Sequence, residues 1–229
     1  MLTRDFFYKR FYASFIGPQY SDQELVKFIE ACKEQDWYIA GIAINLHQIS
    51  LAARLLENSG IHLIGSVAYP LGYLPTELKV CQIEQAIKDG AVEIHALMQV
   101  EALLLDDFES ARTDARAMVE ACGRLKPYAL VSNAAYLAEH QAVLAARIAL
   151  DLGAAYMTNS GFGLVTKLDD VRIVREAIGK EIQIIVSGGC RSAEQAIDFL
   201  NAGSNKIATS TPFHIFEQME ELLTMQTVS

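Results

Sequence analysis

The 229-residue sequence predicts a single (β/α)8 TIM barrel spanning residues 1–229, and three observations lead there. Short apolar or β-branched runs alternate with longer stretches of helical period from one end to the other. Helix start and stop residues punctuate the joints between them. No Pro- or Ser-rich linker interrupts the alternation, so one core is expected rather than two.

Taken in order, the first strand is expected at Arg10–Phe15 and its helix at Asp22–Lys33, where Ser21 and Glu24 have the spacing of a reciprocal capping pair. Strand Trp37–Ile44 precedes helix Gln48–Asn58, which Gly60 ends. Strand His62–Ala68 precedes helix Thr76–Lys88, which Gly90 ends. Strand Ala91–Leu97 leads to helix Ala102–Cys122 and Gly123, and Tyr128–Ser132 to Leu137–Leu152 and Gly153. Strand Ala154–Thr158 leads to Asp169–Ile178 and Gly179; Ile182–Ser187 leads to Ala193–Asn201, opened by Ser192 and ended by Gly203. The last strand is Lys206–Thr209, followed by a helix from about Pro212 to Leu223. Glycine after six of the eight helices fits the left-handed cap residue that turns the chain toward the next strand.

Composition removes several classes of function. With 52% hydrophobic and 21% charged residues the chain is not disordered. A net charge of −9 repels nucleic-acid backbones, so no nucleic-acid partner is expected, while a local phosphate site stays open. Cys32, Cys81, Cys122 and Cys190 stand far apart, without C-x-x-C spacing and with no secretory signal before them, which predicts a reduced, cytoplasmic protein. The apolar stretch from Leu137 to Tyr156 contains Glu139, His140, Arg147 and Asp151, so no membrane partner is expected.

In this fold, chemistry gathers at the carboxyl ends of the strands. After strand seven stands Ser187-Gly188-Gly189, and after strand eight Ala208-Thr209-Ser210-Thr211. Paired glycines let backbone N–H groups approach an anion, and Ser210 and Thr211 are expected to open the last helix, where the dipole favours phosphate. Either motif alone would read as a tight turn or an N-cap. Together, at the fold's usual phosphate corner, they point to phosphate.

Four stretches resemble the 2-deoxyribose-5-phosphate aldolase family of class I aldolases. Ser66-Val67-Ala68-Tyr69-Pro70-Leu71-Gly72 with Thr76-Glu77-Leu78-Lys79 is similar to V-I-G-F-P-L-G…T-E-x-K, and Gly90-Ala91-Val92-Glu93-Ile94-His95 to G-A-D-E-I-D. The segment from Gly153 to Phe162 is similar to G-A-D-F-V-K-T-S-T-G-F, one residue shorter near its end, and Ile184 to Ser192 to V-K-A-S-G-G-I-R-T. The resemblance implies an imine-forming lysine on strand six, a second lysine on strand seven and a proton-transferring Asp on strand four. In this chain Thr158, Ile185 and His95 are expected at those places, and Tyr12 in place of a strand-one Asp. An imine needs a nucleophilic amine, so retro-aldol cleavage by that route is not expected. Lys79 matches a lysine that many relatives carry outside the imine role, while Lys167 and Lys206 sit at or beyond strand ends, where a relocated imine lysine stays open as the alternative. The resemblance also places Ser160 and Gly161, with Gly188, Gly189, Ser210 and Thr211, around a substrate phosphate. Phe162 stands where some relatives carry a lysine, with Arg191 and Lys206 as compensating cations.

For the replacement chemistry His95 is the leading candidate. Val92, Ile94 and Ala96 suit the helix-facing side of strand four, which turns Glu93, His95 and Leu97 inward. Histidine donates or accepts a proton near neutral pH, which suits enolisation, isomerisation or dehydration beside a carbonyl. Tyr12 and Tyr128 are expected to line the same interior, and Asn45, His47, Ser132 and Asn133 lie at other strand ends. The bland alternative for His95 is a packed histidine satisfied by Glu93 or a carbonyl. No metal or other cofactor is expected: His62 begins a strand at the opposite face, His140 and His214 fall in helices, and Met98 and Met157 read as packing residues. Glu101, Asp106, Asp107 and Glu109 read as a solvated helix start.

Two functions follow: a lyase- or isomerase-type enzyme acting on a small phosphorylated metabolite without an imine, or a non-catalytic barrel that binds such a metabolite as a sensor or partner subunit. Convergence of interior polar residues with the phosphate corner separates them. The resemblance further implies a homo-oligomer.

Overall fold

The computed structural model describes residues 2–35, 37–123, 128–161 and 163–228. A short helix, α1 (Arg4–Phe7), precedes the barrel. Eight parallel strands follow: β1 (Phe11–Phe15), β2 (Ile39–Ile44), β3 (His62–Val67), β4 (Glu93–Leu97), β5 (Tyr128–Val131), β6 (Ala155–Met157), β7 (Ile184–Ser187) and β8 (Lys206–Thr209). They pair in sequence order and the sheet closes on itself, β1 pairing with both β2 and β8. This is the (β/α)8 TIM barrel that the alternation predicts. Around it lie α2 (Asp22–Glu34), α3 (Ile49–Leu55), α4 (Thr76–Lys88), α5 (Val100–Leu104), α6 (Phe108–Cys122), α7 (Glu139–Asp151), α8 (Leu168–Ile178), α9 (Ala193–Asn201) and α10 (Pro212–Val228).

The start signals work as read: Ser21 and Glu24 form the reciprocal cap of α2, and Ser192 accepts the Gln195 N–H at the start of α9. Where one helix was expected over 102–122 there are two. Asp106 adopts a positive φ of 59° and Asp107 accepts the Ser110 N–H, so the acidic residues stop one helix and cap the next. The last helix runs past Leu223, and α1 carries no strong signal in the sequence. No helix among the described residues is long and apolar enough to cross a membrane.

Strand register decides which residues meet inside. Ser66 pairs with His95 and His95 with Ala129; Leu97 pairs with Val131, Val131 with Met157, Met157 with Ile185 and Ile185 with Lys206. Residues paired in a parallel sheet point to the same side, so each of these sets shares a face. The alternate set, including Ile94, Ala96, Leu130, Tyr156 and Ile184, is buried under the helices. Val92, expected to join it, precedes β4 and is 44% exposed.

A buried ion pair ties helices to the mouth of the barrel. Lys79 of α4, with no exposed surface, donates from Nζ to Asp114 Oδ2 of α6 at 2.8 Å and to the Leu97 carbonyl at the end of β4 at 3.0 Å. Asp114 also accepts from Thr76 Oγ1 and the Gln99 N–H. Lys79 is therefore held in this buried ion pair.

Candidate active site

The interior of β1 and β4 supplies a cluster of titratable groups. Glu93 is buried and its carboxylate accepts from three side chains: Tyr12 Oη at 2.6 Å, His95 Nε2 at 2.9 Å and His62 Nδ1 at 2.8 Å. Lys206 donates from Nζ to Tyr12 Oη, and the ammonium lies 4.3 Å from the centre of the tyrosine ring. Burial alone would push the Glu93 carboxyl up. The hydrogen bonds from His62 and His95, together with the nearby Lys206 ammonium, outweigh it and hold the group ionised well below the usual carboxylate range. Burial, then the adjacent Glu93 charge, raises Tyr12 far above an ordinary phenol, so Tyr12 stays a donor. Lys206 is lowered by burial, against the pull of Glu93.

With Nε2 donating to Glu93, neutral His95 keeps an unprotonated Nδ1, and no described residue bonds to that atom. His95 lines a narrow slot with Tyr12, Ser14, Ser66, Leu97, Val131 and Met157. The slot shares Ser14, Ile16, Tyr69, Ser160 and Ala208 with a larger cavity of about 530 Å³ at the mouth.

That larger cavity is the expected phosphate corner. Gly161, Gly188, Gly189, Arg191 and Ser210 line it. Gly188 has φ of 91°, and a Cβ there would stand 2.1 Å from the Leu164 carbonyl oxygen, so the position tolerates glycine alone. Among the described residues the N–H groups of Gly188, Gly189 and Ser210 have no hydrogen-bond partner, which leaves them available to an anion. Ser160 lines the corner too, but its hydroxyl donates to the Pro70 carbonyl and its N–H to Asn133 Oδ1. It shapes the wall through these bonds and joins the loops after β3, β5 and β6.

Several expectations need correction. Thr158 does not face the interior: its hydroxyl bonds to Thr166 Oγ1 at 2.8 Å and to the Ser187 carbonyl at 3.3 Å, under the loop after β6. Met157 is the inward residue at that level, paired with Ile185 and lining the slot. Tyr128 points away from the interior and donates to the Leu152 carbonyl. Thr211 lies outside the cavity wall, its hydroxyl bonded to that of Thr209 and its N–H to the same oxygen, and the helix begins only at Pro212. Lys206 begins β8 inside the barrel on Tyr12 and does not line the phosphate corner, which leaves Arg191 as the cation there. Lys167 precedes α8 on the surface, and Phe162 falls outside the described residues.

His62 and Ser66 are the polar residues that pattern reading missed as site members. Each is inward on β3, but only the β3–β4 register brings His62 onto Glu93. The Asn133 amide bridges Pro70 and Ser160, and Asn45 is spent on Gly17 and Gln48.

The DeoC/LacD family aldolase model matches residues 10–205. A deoxyribose-phosphate aldolase of Thermococcus kodakarensis is 30% identical over 207 residues, covering 88% of this chain and 92% of that one. Among solved structures, one described as "QR15, an Aldolase" superposes with a TM-score of 0.86 at 24% identity, covering 97% of this chain and 98% of that one. A tetrameric deoxyribose phosphate aldolase from Aeropyrum pernix also gives a TM-score of 0.86, at 18% identity, over 96% of this chain and 92% of that one. At these identities the structures speak for the fold alone.

Proposed function

The chain belongs to the DeoC/LacD family of aldolases, and from that premise we propose that it acts on a small phosphorylated carbonyl metabolite by proton transfer, without an imine. The observation that carries the reading is that the His95 slot shares Ser14, Ile16, Tyr69, Ser160 and Ala208 with the cavity at Gly188, Gly189 and Ser210. A phosphate held at that corner places the carbon chain of the same molecule over His95.

In this reading His95 Nδ1 takes or returns a proton at the carbon next to the carbonyl. Glu93, fixed by Tyr12 and His62, is a positioning residue that sets the tautomer and stabilises the charged imidazole. Tyr12 shapes the slot with its ring while its hydroxyl serves Glu93. Arg191 and the free N–H groups hold the phosphate. Thr158 and Ile185, which stand where the family resemblance implies amines, offer no amine nitrogen, and neither does the inward Met157. The reaction class is lyase or isomerase. We further propose a cytoplasmic homo-oligomer, in keeping with the tetrameric relative from Aeropyrum pernix.

The test uses 2-deoxyribose 5-phosphate and ribose 5-phosphate in D₂O. Exchange at the carbon next to the carbonyl is expected, and His95→Ala should slow it by about 10²- to 10⁴-fold. Borohydride added to the same mixture should leave the protein mass unchanged. A trapped adduct would show a relocated imine lysine and end the imine-free claim. Binding of both esters with no exchange would favour the sensor or partner-subunit alternative.

A further inference from the structure

The mouth of the barrel has a second lobe across from the phosphate corner. It is a cavity of about 340 Å³ at the carboxyl ends of β2 and β3, lined by Asn45, His47, Ser66, Tyr69 and Gln82 among others. Ile16 and Tyr69 border this lobe, the slot and the phosphate corner alike, and Ser66 borders both lobe and slot. The three spaces therefore form one cleft with two ends and His95 beneath the middle.

Asn45 is engaged with Gly17 and Gln48, but three other polar side chains of the lobe keep bonding capacity. Ser66 is 9% exposed, yet its hydroxyl has no hydrogen-bond partner among the described residues. Gln82 spends Oε1 on the Ala68 N–H at 2.8 Å, which pins the amide and leaves its NH₂ without a partner among those residues. The exposed His47 ring is likewise unbonded among them. In a residue that is nine-tenths buried, a hydroxyl left open to the cleft is available to a ligand or to water. Among the described residues no lysine or arginine lines the lobe, so these supply no charge that would select a second phosphate or a carboxylate.

Resting on the phosphate reading above, we propose that this lobe is a subsite for the uncharged, hydroxylated end of the substrate, held by Ser66, Gln82 and His47. The molecule the cleft fits is then a phosphate monoester with a polyhydroxylated chain long enough to run from Gly188-Gly189 across His95 to β3. A three-carbon phosphate would fill the corner and slot alone.

Two non-reactive probes test this by calorimetry: ribitol 5-phosphate, which reaches the lobe, and glycerol 3-phosphate, which does not. The wild type should bind ribitol 5-phosphate about tenfold more tightly, the worth of one or two added hydrogen bonds. Ser66→Ala and His47→Ala, checked for unchanged melting temperature, should shrink that ratio toward one while glycerol 3-phosphate affinity holds. Equal affinities in the wild type, or variants that weaken both probes alike, would overturn the subsite. Should neither ester bind, the phosphate reading fails by itself, and free ribitol then reports on the lobe. A shift of the Gln82 side-chain amide resonance with ribitol upholds the subsite, and its absence overturns it.

Discussion

At the scale of single residues the site turns on Glu93, a buried carboxylate whose charge is held by two histidines, a phenol and a nearby ammonium. Its carboxyl titrates lower in the folded chain than in the unfolded one, so the unfolded state binds the extra proton in acid. The stabilisation from the ionised group is complete above the unfolded value of about 4.3 and drains away as pH falls through it toward the depressed folded value. Wild-type melting temperature should therefore drop from about pH 4.5 downward. Glu93→Gln should melt lower at pH 7 and lose less over the same acid range, because it has no such charge to surrender. Thermal melts from pH 3 to 7 decide this, and parallel curves for the two proteins would remove Glu93 from its central place. His62 adds a second consequence. Its side chain is 41% exposed, yet it shares the carboxylate with His95, so a change at the solvent-facing end of the cluster reaches the group in the slot.

At the scale of elements, Lys79 and Asp114 join α4, α6 and the end of β4. Removing one partner leaves an unpaired charge in a dry place, which costs about 3–5 kcal/mol. Asp114→Leu alone should lose stability of that order in urea unfolding. The double variant Lys79→Met, Asp114→Leu should recover most of it, since an apolar pair of similar volume often replaces a buried ion pair without loss. If the double variant is as unstable as the single one, the pair does more than satisfy its own charge. Elements were also where the sequence read best, because the two periods and the closing glycines are local signals. The break at 105–107 escaped it: the apolar period runs on through Leu103, Leu104 and Leu105, and only the Asp107 cap shows where the chain stops and restarts. Thr158 escaped for another reason. Strand β6 has three residues, too short for alternation to fix its faces, and a one-residue gap exchanges Met157 and Thr158 between interior and exterior.

For the molecule as a whole, barrel closure brings together residues that no local pattern relates, which is why His95 and Glu93 were legible on one strand while His62, Lys206 and Ser66 were not. The same global view bears on charge. The chain carries −9, yet the phosphate corner offers unpaired N–H groups and one exposed arginine. Two fields of opposite sign thus act on an arriving anion: a local attraction from Arg191 and a repulsion summed over the surface. Both weaken with salt, since the screening length is about 10 Å at 0.1 M, whereas hydrogen bonds from backbone N–H groups are little affected. Arg191→Gln removes the attraction and leaves the repulsion. Its affinity for inorganic phosphate should fall about two- to fivefold at low salt, the worth of an exposed charge contact. As salt rises toward 0.2 M, with a weakly binding counter-anion, the variant should bind phosphate more tightly and its gap from the wild type should narrow. Calorimetric titrations at three ionic strengths measure both trends. A variant that instead weakens with salt would mean that another cation holds the phosphate, and the backbone-centred corner would have to give way to it.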